Sequence, residues 1–125
     1  MAEDRNGFVI REDDLGMVKV DDEVVAIIAG LATTEVEGVS SMAGNITNEL
    51  VSKLGMKNLS KGIKVHVEEG AVDVDVAINI AYGYAIPDIS ARVQDRVKNA
   101  LENMTGLEVT AINVRIASVD MAAEE

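Results

Sequence analysis

Acid–base catalysis near neutral pH is most readily supplied by histidine, and this chain has one, His66. It lies between Val65 and Val67 in an alternating apolar and polar run. A tight turn at Glu69-Gly70 would pair that run with the strand that follows, setting His66 opposite Asp73 on the solvent side. A solvated cross-strand pair therefore accounts for the residue without a general-base role. Ser40, Ser41, Ser52, Ser60, Ser90 and Ser118 have no evident base beside them. The chain has no cysteine, which excludes disulfides, thiolate metal sites and cysteine nucleophiles, and fits a reducing compartment. Glu12-Asp13-Asp14 and Asp21-Asp22-Glu23 are the candidate hard-cation clusters, but neither has the alternating ligand spacing of a calcium loop. Helix capping explains the second. Gly38, Gly44, Gly55, Gly62, Gly70 and Gly106 stand singly at element ends, with no GxGxxG or Walker pattern. The sequence thus predicts no catalytic residue, no metal and no cofactor.

Surfaces are left to carry the activity. Lys53, Lys57, Lys61 and Lys64 form the one basic patch, with no acid within residues 53–64. It suits an acidic partner segment or the acidic arm of a neighbouring copy; a solvated loop is the plainer alternative. Tyr82 and Tyr84 flank Gly83 just before Pro87, placed either to anchor a partner or to pack on a helix start. Ala77, Asn79 and Ala81 fall on the polar side of a strand and predict a flat, small-residue surface for contact between copies. With 22 acids against 11 bases, the net charge of −11 repels nucleic-acid phosphates and anionic headgroups. No apolar run approaches the roughly 20 residues of a spanning helix. These features predict a soluble cytoplasmic chain, with no nucleic-acid partner and no direct membrane insertion.

The elements that must position these residues follow from periodicity. Residues 1–14 read as a flexible acidic arm, 15–120 as one domain and 121–125 as a tail. A short strand over residues 17–20 precedes a helix capped by Asp21, with Val24, Ile27, Ile28 and Leu31 as its buried stripe. Residues 39–42 read as a short strand. Asn45 then starts a second helix carrying Ile46, Leu50 and Leu54 on one face. In the hairpin, pairing Glu68 with Ala71 sets Val65 opposite Val74, Val67 opposite Val72 and Lys64 opposite Asp75. Pro87 opens the main helix, whose stripe is Ile89, Val93, Val97, Ala100, Leu101 and Met104; Gly106 closes it, and Leu107 is expected to pack back on Met104. In the last strand the apolar parity changes between Val109 and Ile112, which predicts a bulge near Thr110 or Ala111. The result is a two-layer α+β fold of order β-α-β-α-β-β-α-β, with a mixed sheet and helices on one face.

Several ordered segments resemble the alkaline-shock protein family of envelope-stress proteins. They are Val18-Lys19-Val20-Asp21-Asp22-Glu23-Val24-Val25, Ile28-Ala29-Gly30-Leu31-Ala32, Glu37-Gly38-Val39 and Lys61-Gly62-Ile63-Lys64-Val65. Tyr82-Gly83-Tyr84-Ala85-Ile86-Pro87-Asp88-Ile89, Val93-Gln94-Asp95-Arg96-Val97 and Met104-Thr105-Gly106-Leu107-Glu108-Val109 complete the set, which spans about residues 15–120. The resemblance implies a non-catalytic protein of Gram-positive envelope or alkaline stress. Such a protein forms homo-oligomers or sits near the membrane through an anchored protein partner. The expected function is a stress-associated scaffold or structural protein; the alternative is a regulatory module controlling a metabolic or envelope enzyme.

Overall fold

The computed structural model describes residues 7–43, 60–68 and 70–121. The described elements, in chain order, are β1 (Gly7–Asp13), β2 (Gly16–Asp21), α1 (Asp22–Thr34), β3 (Val39–Met42), β4 (Ile63–Glu68), β5 (Ala71–Ala81), α2 (Ile86–Thr105) and β6 (Glu108–Asp120). They form the expected α+β fold in the expected order, with β1 added in front. The helix expected over 45–54, with Lys53 and Lys57, lies outside the described residues.

Strand β5 is the spine of the main sheet. Along one edge it pairs antiparallel with β4 over 71–76 and with β3 over 78–80. Along the other it pairs parallel with β6 from Ala71 to Ala81. Its even-numbered residues Val72, Val74, Val76, Ile78 and Ile80 are each 2% exposed or less. Fully burying such a side chain is worth about 1.5–3 kcal/mol, so this one strand contributes a large part of the core. The expected hairpin register is found: Val65 pairs Val74, Lys64 pairs Asp75 and His66 pairs Asp73. The bulge is also where parity placed it. Val72 pairs Val109 and Asp73 pairs Ala111, so Thr110 is the extra residue. A second register shift between Ile78 and Asn79 makes Ala117 extra as well.

Both helices cover the even-numbered side of β5 and share one core cluster with it. Helix α2 buries Ile89, Val93, Val97, Leu101 and Thr105. This four-residue spacing drifts about 40° per step on a 3.6-residue helix, so the stripe winds away from Met104 and ends on Thr105. Met104 is 68% exposed and Leu107 enters the core without it, which corrects the expected packing. Thr105 is satisfied locally: its hydroxyl donates to Leu101 O at 2.6 Å and accepts from Leu107 N at 3.1 Å. Gly106 closes the helix at φ +76°.

Helix α1 departs further from expectation. Its buried face is Val25, Ala26, Ala29, Gly30, Ala32 and Thr33, whereas Val24 is exposed and Ile27, Ile28 and Leu31 are half-buried. Two stripes satisfy the helical period here, and hydropathy favours the larger one. The small residues face inward because they let the helix backbone approach its neighbours closely, as dense packing requires. Asp21 stands at the N-cap but makes no side-chain cap hydrogen bond.

Of the residues read as an arm, 7–13 form a strand. Strands β1 and β2 form an antiparallel hairpin with a register shift between Val9 and Arg11. Ile10 and Val20, near its base, pack against the core.

Gly38 joins these layers. Its φ is +103°, and a Cβ there would run into Ile89 Cδ1 and lie 2.8 Å from the Tyr84 ring. Its carbonyl accepts from Ala81 N at 2.9 Å. Gly38→Ala should therefore combine backbone strain with overpacking and lower stability by about 2–4 kcal/mol, read as a lower urea midpoint at unchanged slope.

Candidate interaction face of the sheet

The side of the sheet away from the helices carries the candidate site. Odd-numbered positions of β5 place Asp73, Asp75, Ala77, Asn79 and Ala81 there, and β4 adds Lys64, His66 and Glu68. The bulge at Thr110 restores the parity of β6, so that Asn113 pairs Asp75 and Arg115 pairs Ala77 on this same face.

Asn113 organises the acidic end. Its amide donates to Asp75 Oδ1 at 2.8 Å and to Asp73 Oδ1 at 3.2 Å. His66 Nε2 lies 3.5 Å from Asp75 Oδ2, so this contact runs diagonally, although Asp73 is its register partner. The Asn113 hydrogen bond holds the Asp75 carboxyl below the ordinary carboxylate range; burial opposes this, and His66 and Lys64 add to it. His66 is half or more exposed and paired, in keeping with a solvated cross-strand group. Among the described residues, no three His, Asp or Glu side chains converge as a metal site.

Beside this cluster lies a cavity of about 400 Å³. Lys61, Lys64, Arg115, Asp75, Asn113 and Ala77 are among the residues that line it. The structure thus brings Lys61 and Lys64 together and adds Arg115, which the sequence reading missed. The signal for Arg115 was present: a bulge at Thr110 puts Asn113 and Arg115 on the face opposite Ile112 and Val114.

The small-residue patch is placed differently from a flat exposed surface. Ala77 is 8% exposed and Asn79 only 5%, while Ala81 is half-buried. Asn79 is a clamp between strands. Its amide donates to Ser41 Oγ at 2.9 Å and Met42 O at 3.3 Å, and its Oδ1 accepts from Ser118 Oγ at 2.8 Å. Two serines weighed as nucleophiles therefore serve a structural network. Tyr84 lies with its ring against Gly38 and its hydroxyl 3.3 Å from Glu37, whereas Tyr82 is 70% exposed at the end of β5. Val119 and Met121 are exposed just across from it, where Tyr82 N donates to Asp120 O.

Replacing Asn113 by Val should remove the main cause of the Asp75 shift. Because the folded carboxyl ionises at lower pH than the unfolded one, its stabilising contribution is present above the unfolded pKa and fades as pH falls through the folded one. The variant's Asp75 should titrate at higher pH, toward the ordinary carboxylate range, in a carboxyl-carbon NMR titration. An unchanged titration would mean that Asn113 is not the cause.

Three comparisons place the chain among known proteins. Residues 11–121 match the alkaline shock protein 23 family, whose function is described as cell envelope-related. YqhY of Bacillus subtilis is 37% identical over 113 residues, covering 89% of this chain and 84% of its own. A stress response regulator gls24 homolog of Streptococcus pyogenes is 30% identical over 105 residues, 83% of this chain but 59% of its own length. Among solved structures, a variant of MamM CTD superposes with a TM-score of 0.50 at 13% identity, covering 79% of this chain and 98% of that one, a likeness of fold alone. The ordered segments, the fold and a match spanning nearly all of the described residues agree: the chain belongs to the alkaline shock protein 23 family of cell envelope-related proteins.

Proposed function

We propose that this chain is a non-catalytic structural protein of the envelope stress response, working by protein–protein contacts and by association with copies of itself. The observation that carries the reading is where its apolar side chains remain in water. Leu15, Met17 and Val18 are exposed on the N-terminal hairpin, and Tyr82, Val119 and Met121 at the end of the main sheet. Single exposed apolar residues are ordinary, but groups of them at two distinct places favour contact surfaces. The groups capable of chemistry support the same reading, because Ser41 and Ser118 are tied to Asn79 and His66 to Asp75.

No helix among the described residues is long and apolar enough to cross a membrane. Gathering at the envelope is therefore assigned, in this reading, to a membrane-anchored protein partner. A second reading, a regulatory module for another protein, draws on the description of the streptococcal relatives as stress response regulators. Crosslinking separates the two: a scaffold captures chiefly itself, a regulator captures a defined protein at fixed stoichiometry.

Size-exclusion chromatography with light scattering, over a concentration series at low and high salt, should give a mass above that of one 13.3 kDa chain. A single-chain mass under every condition would end the self-association claim.

A further inference from the structure

The hairpin tip and the cavity on the open sheet face are complementary. At the tip, Leu15 is 93% exposed and touches almost nothing of its own chain. It is nonetheless held in place. Leu15 N donates to Asp13 Oδ1 at 2.9 Å, and Gly16 turns the chain at φ +131°. Ile10 and Val20 fix the hairpin's base to the core, so the tip is presented on an ordered stalk. Glu12, Asp13 and Asp14 surround Leu15 with negative charge, offset in part by Arg11 at 3.9 Å from Asp13.

The cavity has the opposite character. In a chain of net charge −11, Lys61, Lys64 and Arg115 gather around one opening. The single carboxylate there, Asp75, is already held by Asn113 and His66. Ala43, Gly62 and Ala77 also line the cavity, and its volume of about 400 Å³ is that of a cleft able to enclose a side chain and its turn. A leucine flanked by acids matches a cleft lined by small residues and by three cations.

We propose that the hairpin tip of one copy seats Leu15 in the basic cavity of a second copy, with Glu12 and Asp14 against Lys61, Lys64 and Arg115. This deepens the self-association reading above and rests on it. The two surfaces differ, so the contact is head-to-tail: each copy that receives a tip still offers its own, and the assembly grows as an open chain.

The test uses two full-length variants altered only at exposed positions, with circular dichroism to show that both are folded. The tip variant carries Asp14→Lys and Leu15→Ser; the groove variant carries Lys64→Glu and Arg115→Glu. Each alone should associate about tenfold or more weakly than the wild type by light scattering. An equimolar mixture should recover a species of two chains, because one variant keeps an intact groove and the other an intact tip. Variants that associate as strongly as wild type would overturn this contact while leaving self-association standing. So would a mixture that stays as single chains after each variant has lost association. Wild-type chains that remain single would overturn both readings. Single wild-type chains whose groove binds poly-glutamate would also overturn both, and would assign that groove to another acidic protein.

Discussion

Strand β5 is hydrogen-bonded along both edges, and the rest of the structure is arranged around that constraint. It must satisfy β3 and β4 end to end on one side and β6 along its whole length on the other. A strand so placed has no freedom to slip, since a one-residue shift would turn Val72, Val74, Val76, Ile78 and Ile80 away from the helices and bring Asp73 and Asp75 under them. Asn79 adds to the same constraint from the other face, because its side chain bonds both β3 and β6.

From that spine, the two faces take different work. The helix side is closed by Ile89, Val93, Val97 and Leu101 of α2 and by the small residues of α1. The other side receives no layer of its own among the described residues, so its side chains answer to one another and to solvent. Charges there are sorted along the strands. Asp73 and Asp75 meet Asn113 and His66 at one end, and the cations Lys61, Lys64 and Arg115 gather around the adjoining cavity. In a chain that is acidic overall, this is a local reversal of sign, felt within the about 8 Å over which physiological salt leaves charges visible.

The hairpin of β1 and β2 belongs to the same logic. An isolated two-stranded ribbon is marginal in water, so Ile10 and Val20 tether it to the core. Its far end gains nothing from that packing and carries the most exposed leucine of the described residues. Family membership sets these surfaces in a cell envelope-related context and leaves their chemistry to be read from the residues themselves.

The sequence alone determined what depends on neighbours in the chain. Alternation in 63–68 and 71–80, the sign of facing charges and the lone Glu69-Gly70 turn gave the hairpin and its register. The parity change after Val109 gave the bulge at Thr110, and Pro87 with Gly106 bracketed α2 within a residue. Tertiary structure decided whatever depends on how closely elements approach. It chose the alanine face of α1 over the isoleucine face, wound the α2 stripe onto Thr105 instead of Met104, and buried Ala77 and Asn79 under their neighbours. It also brought Arg115 beside Lys61 and Lys64, residues some fifty positions away. Periodicity fixes which residues share a face, but burial and electrostatic grouping depend on the distance between faces, which only packing of the whole chain sets.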